Sequence, residues 1–112
     1  MKYNFKNHIV GFYVRGKRER CIDEQLAELF LFAMLHHIPS EDTRLILDRI
    51  GFKEGSSSLD TLISNPCVDY LIVKSYHIID VKFDAYLHLR SVLESVGIKV
   101  IDLHEYAKQA GE

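Results

Sequence analysis

The sequence has no tryptophan, two prolines and two cysteines, and its longest apolar run, residues 29–35, is too short to cross a bilayer. Cys21 and Cys67 are far apart and neither belongs to a C-x-x-C pair, so we expect reduced thiols rather than a disulfide framework. The first ten residues lack the apolar core and the cleavage site of a secretory signal. These absences predict a cytoplasmic protein that does not span a membrane.

Positive and negative charges are nearly balanced. The 14 basic and 16 acidic residues give a formal net charge of −2, which argues against nucleic-acid binding by bulk electrostatics. A local basic patch is still compatible with this balance. Hydrophobic residues make up 47% of the 112 residues, enough for a buried core without disulfides. We therefore expect one domain that spans residues 1–112.

Motifs for metal binding, phosphate binding and nucleophilic catalysis are absent from the sequence. The six histidines show no H-x₃-H or HExxH spacing, and the adjacent His36 and His37 would point about 100° apart on a helix. Gly16 belongs to no glycine-rich phosphate loop, and no Ser-His-Asp or Cys-His set has a recognisable spacing. His77, near a predicted strand end, is the most site-like histidine, although an exposed or hydrogen-bonded residue is the simpler interpretation. The sequence thus predicts no metal and no cofactor.

Alternating strand and helix patterns predict an α/β fold. Apolar runs rich in β-branched and aromatic residues predict strands at residues 9–14, 70–73 and 98–101. Helical spacing predicts helices at residues 23–37 and 83–96, a short helix capped by Ser57, and a last helix from about His104. Residues 43–50 fit either a helix capped by Ser40 or a strand at residues 44–47. This order predicts a mostly parallel sheet of four to five strands with helices on both faces.

The helix predicted at residues 23–37 is apolar around most of its circumference. Its two apolar stripes are Ile22, Leu26, Leu29, Phe30 and Ala33, and Ala27, Leu31, Met34, Leu35 and Ile38. A helix with apolar residues on most of its surface is buried on more than one side. In a domain of this size, the pattern predicts a second partner, which is either another copy or another protein.

Positive charges follow two of the predicted parallel strands. The first strand leads into Arg15, Lys17, Arg18 and Arg20, and the strand at residues 70–73 leads into Lys74. Ligands of parallel sheets bind beyond the carboxyl ends of the strands. If the two strands are neighbours, these cations form a patch that faces a phosphate. A solvated charged loop is the alternative interpretation of the same residues.

Four stretches of the chain resemble, in order and spacing, the catalytic domain of the serine recombinases, the resolvase and invertase group. GFYVRGKRERCIDEQLAEL resembles the opening strand Y-x-R-V-S with its glutamine-containing helix, and GFKEGSSSLDTLI resembles the loop and second helix. VDYLIVKSYHII is similar to the strand that ends V-K-x-L-D-R-L-G-R, and LRSVLESVGIKVIDLHE to the last helix and strand. The likeness spans roughly residues 9–105 and implies a three-layer resolvase-like fold.

The resemblance also implies a site at which a serine forms a covalent phosphoserine link to DNA while arginines neutralise the phosphate. Tyr13 and Arg15 match the Y-x-R of the motif, and Gln25 matches the helix glutamine. Lys74 matches the lysine before L-D-R-L-G-R, and Lys17 occupies the position of the serine. The resemblance thus assigns these five residues to a vestigial recombinase site.

Departures from the family pattern remove most of the implied chemistry. A lysine amine at position 17 does not substitute for a hydroxyl in phosphodiester exchange. The D-R-L-G-R positions read HIIDV at residues 77–81, and the D-R-P-G-like segment is missing together with its arginine. Each lost phosphate-stabilising donor typically costs about 10²–10³ in rate. No recognition helix with basic flanks is visible.

The residues and the resemblance together predict a catalytically inactive recombinase-like domain, structural or regulatory, that acts through a homo-oligomer or a protein partner. The alternative is a non-cleaving DNA- or phosphate-binding module that uses Arg15, Lys17, Arg18 and Lys74. A third interpretation, ranked last, is a different enzyme on the same fold that uses Lys17, Tyr13 or His77. A remnant of a longer mobile-element recombinase is one origin that fits these residues.

Overall fold

The computed structural model describes residues 4–49 and 58–110. Its elements, in chain order, are β1 (Val10–Gly16), α1 (Glu19–Leu35), β2 (Thr43–Arg49), α2 (Ser58–Ser64), β3 (Tyr70–Val73), α3 (Tyr76–Ile79), α4 (Phe83–Ser95), β4 (Lys99–Asp102) and α5 (Leu103–Ala110). A single 3-10 turn, Ser40–Asp42, precedes β2. The short helix α3 is an element that the sequence patterns did not predict.

The four strands form one parallel sheet in the order β2-β1-β3-β4. Strand β1 is central and pairs with β2 along its whole length, from Val10 opposite Thr43 to Gly16 opposite Arg49. Its pairing with β3 covers three residues and ends at Phe12. The predicted α/β class and the predicted parallel sheet are confirmed. The crossovers between parallel strands are made by helices, as such pairing requires.

Hydrophobic cores lie on both faces of this sheet, because successive strand residues point to opposite sides. On one face α1 and α5 cover a core that includes Phe12, Val14 and Ile72. On the other face α2, α3 and α4 cover a core that includes Tyr13 and Leu71. The three-layer arrangement that the sequence implied is therefore present, with helices on both faces.

The segment that the sequence left ambiguous, residues 43–50, is a strand as far as Arg49, so the helical alternative is wrong. Seven residues of this segment pair in parallel with β1, and the ladder supplies backbone hydrogen bonds that local patterning does not reveal. Helix α1 begins four residues earlier than predicted, at Glu19. The predicted cap residue Ser57 lies outside the described residues, although the helix behind it is present.

The two apolar stripes of α1 have different environments. Most of the first stripe faces the core, where Ile22, Leu29 and Ala33 are buried, but its Phe30 is exposed. Most of the second stripe is exposed, including Leu31 and Met34. No helix in the described part of the chain combines the length and the apolarity that crossing a membrane requires.

Candidate functional site

The carboxyl ends of β1 and β2 are joined by hydrogen bonds to one carboxylate. The Tyr13 hydroxyl donates to Oδ2 of Asp48 at 2.7 Å, across the β1–β2 pair. Asp48 also accepts from the Ser58 hydroxyl at 2.7 Å and from the Ser58 backbone N–H at 3.0 Å. Asp48 therefore fixes both the tyrosine of the Y-x-R motif and the first residue of α2.

This network makes the Tyr13 hydroxyl harder to ionise. Burial, and then the hydrogen bond to the Asp48 carboxylate, raise the pKa of Tyr13 above its ordinary value of 10.0. The nearby Arg15 acts in the opposite direction but does not reverse the shift. At neutral pH Tyr13 is thus a neutral hydrogen-bond donor and not a nucleophile.

The glutamine of the motif satisfies the backbone at the end of β1. Gln25 on α1 is 5% exposed, and its Oε1 accepts from the Arg15 backbone N–H at 3.0 Å. Its Nε2 donates to the Arg15 carbonyl oxygen at 2.8 Å. Because β3 pairs with β1 only as far as Phe12, Gln25 replaces a neighbouring strand at this point. Its role in this structure is to hold the β1 end against α1.

The Arg15 side chain lies on the α3 side of the sheet. Its Nη1 donates to the Ile79 carbonyl oxygen at 3.3 Å, at the end of α3. Residues 77–81, which replace the D-R-L-G-R segment of the resemblance, include most of α3. One donor of the arginine is therefore bonded to the backbone of the segment that departs from the family pattern.

Lys74 lies on the opposite side of the sheet from Arg15. Its Nζ forms an ion pair with the Glu28 carboxylate of α1 at 3.2 Å. Lys74 also borders the groove between α1 and α5. The strands are neighbours, as the sequence analysis required, but the structure does not bring Arg15 and Lys74 together. Side-chain alternation along β3 is the reason, because Lys74 shares the face of Ile72.

Lys17 and Arg18 occupy the exposed connection between β1 and α1. Among the described residues, neither side chain takes part in a hydrogen bond or an ion pair. Arg20, by contrast, pairs with Glu24 at 3.5 Å, and Arg49 pairs with Glu19 at 3.0 Å. Lys17 and Arg18 thus form the part of the predicted basic set that is available to a ligand.

His77 lies on α3, where its Nδ1 is 2.8 Å from the Ser75 hydroxyl oxygen and its ring stacks on Tyr76. This exposed, hydrogen-bonded arrangement agrees with the simpler interpretation of His77. Within residues 4–49 and 58–110, no three His, Cys, Asp or Glu side chains are placed to hold a metal ion.

Sequence reasoning missed two residues of this site. Asp48 accepts the hydrogen bond of Tyr13, and Ser58 in turn bonds to Asp48, yet neither residue was singled out. The signal was available: Asp48 directly follows the apolar run Leu45-Ile46-Leu47 and is the last residue but one of a parallel strand. The signal was not used because the sequence left residues 43–50 open between a helix and a strand.

The topology and the motif residues at the β1 end define the class of protein. The chain has the three-layer fold of serine recombinase catalytic domains, and the predicted resemblance is confirmed. No protein-family model and no curated protein matches the sequence.

Three solved structures illustrate this similarity. The N-terminal catalytic domain of TP901-1 integrase is 25% identical, with a TM-score of 0.64 over 86% of this chain and 77% of that chain. The C-terminal catalytic domain of IS1535 TnpA, an IS607-like serine recombinase, is 17% identical, with a TM-score of 0.65 over 83% and 69%. The equivalent domain of ISC1926 TnpA, also IS607-like, is 12% identical, with a TM-score of 0.59 over 84% and 68%.

Proposed function

We propose that this protein is a recombinase-like domain without strand-cleaving activity, which acts as a structural or regulatory protein through contacts with its own copies or with another protein. The observation that carries the proposal is Lys17, which stands where the motif of the resembled family has its serine. Phosphodiester exchange needs a hydroxyl that attacks phosphorus and later leaves as an alkoxide. An amine at this position does not provide that leaving group.

The contacts of the remaining motif residues support the same conclusion. Tyr13 and Gln25 are engaged in the protein's own hydrogen bonds, and Arg15 gives one donor to the Ile79 carbonyl. Lys74 is neutralised by Glu28. A phosphoryl-transfer site needs several unneutralised cations around one phosphate. Tyr13, Arg15 and Gln25 instead form hydrogen bonds within the fold around β1.

Covalent capture of DNA tests this proposal. The full chain is incubated with fragmented genomic DNA from its source, denatured with detergent, and assayed for DNA that remains bound to protein. TP901-1 integrase with its own sites serves as the positive control for trapping. The proposal predicts background capture for the wild type. Capture above background would overturn it, whether or not the capture persists in Lys17→Ala.

A second candidate function is non-cleaving binding of DNA or phosphate. It is favoured by Lys17 and Arg18, exposed cations at the carboxyl end of a parallel strand, where ligands of such sheets bind. Arg15 lies beside them in sequence, whereas Lys74 is directed to the other face. The candidate therefore depends chiefly on the β1–α1 connection.

Fluorescence anisotropy with duplex DNA, at low and at moderate salt, separates the two functions. If the second function holds, the double variant Lys17→Ala/Arg18→Ala binds more weakly and shows a smaller salt dependence. Arg20→Ala is the matched control, because Arg20 is exposed but already paired with Glu24. No binding at low salt would exclude this function, since electrostatic attraction is strongest there.

A further inference from the structure

Four large apolar side chains stand exposed along the outer face of α1. This apolar ridge consists of Phe30, Leu31, Met34 and Leu35, with exposed fractions of 52%, 54%, 73% and 68%. Residues four apart on a helix are neighbours, so the side chains form one continuous surface over two turns. Contiguous exposed apolar surface of this kind marks an interaction site rather than scattered surface residues.

A groove of about 750 Å³ adjoins the apolar ridge between α1 and α5. Leu31 and Leu35 line it on one side, and Leu103 and Tyr106 line it on the other. Ridge and groove therefore lie next to each other on one face of the molecule. A second copy can place its ridge in this groove while its own groove receives this ridge. Such reciprocity is the property of an isologous contact between identical subunits.

Residue size and charge along α1 favour an antiparallel pair. The outer face begins with the exposed Arg20, Asp23 and Glu24, of which Arg20 and Glu24 are paired with each other, continues through the small Ala27 and the ridge, and is followed by His37. In an antiparallel pair centred on the ridge, the small Ala27 meets the bulky end of the partner's ridge at Leu35. A parallel pair would instead set each charged residue beside its own copy, Asp23 beside Asp23 for example, which is repulsive. The charge within this stretch, Glu28, is drawn aside by Lys74.

The exposed area is sufficient for a reversible dimer. With an area on the order of 200 Å² for a large apolar side chain, the exposed fractions of the ridge correspond to about 500 Å² per copy. Two ridges together supply about 1,000 Å², which is near the lower limit for a specific interface before the groove walls are counted.

We propose that the chain forms an isologous dimer in which the apolar ridges of two α1 helices pack antiparallel, each in the groove of the other copy, with the twofold axis near Leu31. The inference rests on the proposed function in one respect: it names a second copy of the chain as the partner through which the inactive recombinase-like domain acts.

Sedimentation velocity over a series from micromolar to millimolar protein tests the dimer. The wild type is expected to approach twice the monomer mass, and Met34→Glu is expected to weaken the dimer at least about tenfold. Val81→Glu is the matched control, because Val81 is an apolar residue of similar exposure, 76%, between α3 and α4. Circular dichroism establishes that both variants are folded, as their exposure predicts.

Cross-linking tests the antiparallel geometry. In a Cys21→Ser/Cys67→Ser background, Leu31→Cys should form a disulfide-linked dimer under mild oxidation. Glu24→Cys should not, because two such residues lie about 20 Å apart in the antiparallel pair, at 1.5 Å per helical residue.

Three results would overturn the dimer: a monomer at every concentration, equal weakening by Met34→Glu and Val81→Glu, or linkage through position 24 instead of position 31. Stable binding of a different protein on the ridge, with no self-association, would overturn it as well. Both measurements are made without DNA, so their failure leaves the absence of strand cleavage untouched. If the protein does cleave DNA strands, that activity would be detected only as covalently captured DNA.

Discussion

Replacing Gln25 with alanine should lower the free energy of unfolding by about 2–4 kcal/mol, because two backbone groups of Arg15 lose their partner. The Gln25 amide is 5% exposed and bonds the N–H at 3.0 Å and the carbonyl at 2.8 Å. Each backbone group left without a partner costs roughly 1–2 kcal/mol when water reaches it poorly. Partial hydration of the half-buried Arg15 favours the lower end of the range.

Urea unfolding followed by far-UV circular dichroism measures this loss. The midpoint should fall at an unchanged m-value, because the surface exposed on unfolding stays the same. The melting temperature should drop by roughly 8–16 °C, taking about 4 °C per kcal/mol for a chain of this size.

Two variants serve as controls for Gln25→Ala. Glu24→Ala changes an exposed residue of the same helix and should stay within about 0.5 kcal/mol of the wild type. Gln25→Glu keeps the acceptor for the Arg15 N–H but loses the donor to its carbonyl, so it should also destabilise. The role assigned to Gln25 is refuted if the free energy of unfolding of Gln25→Ala lies within about 0.5 kcal/mol of that of the wild type.

Three further predictions concern Tyr13, His36 and Lys74. Tyr13→Phe should cost about 1 kcal/mol at neutral pH through the lost bond to Asp48. The free energy of unfolding of the wild type should also fall as pH rises above 10.0. The reason is that Tyr13 ionises there in the unfolded chain, whereas its raised pKa keeps it protonated in the folded protein. The decrease with pH should be smaller in Tyr13→Phe. Burial, and then the adjacent His37, lower the pKa of His36. Its NMR titration midpoint should therefore lie below 6.5, and the free energy of unfolding should decline as pH falls through 6.5. A midpoint at or above 6.5 would contradict this. Lys74→Ala should cost less than about 1 kcal/mol, because its ion pair with Glu28 is half exposed, and a loss above about 2 kcal/mol in denaturant titration would contradict a surface pair.

The sequence pattern alone predicted those strands and helices whose apolar residues follow one clear period. The apolar run that became β1 and the amphipathic stretch that became α4 were both predicted close to their observed limits. Gly97, two residues after the end of α4, has the positive φ of 92° that favours glycine at a helix end. These features depend on neighbours in the sequence, which a sequence shows directly.

The remaining features depend on contacts between distant residues. Residues 43–49 are identified as strand β2 by their pairing with β1, and this pairing places Asp48 beside Tyr13. The alternation of side chains across the sheet placed Arg15 and Lys74 on opposite faces, although both follow parallel strands. A motif match assigns residues to positions along a strand, but the face of the sheet on which each side chain acts follows from the register.

Covalent capture of DNA tests the central claim most directly, namely that the fold of a serine recombinase catalytic domain is kept here without strand cleavage. The predicted result is a yield at background for the wild-type chain, under conditions in which TP901-1 integrase is trapped on its own sites. Capture above background, with the attached nucleotide mapped by mass spectrometry to Ser58 or to any other side chain of this protein, would contradict the claim.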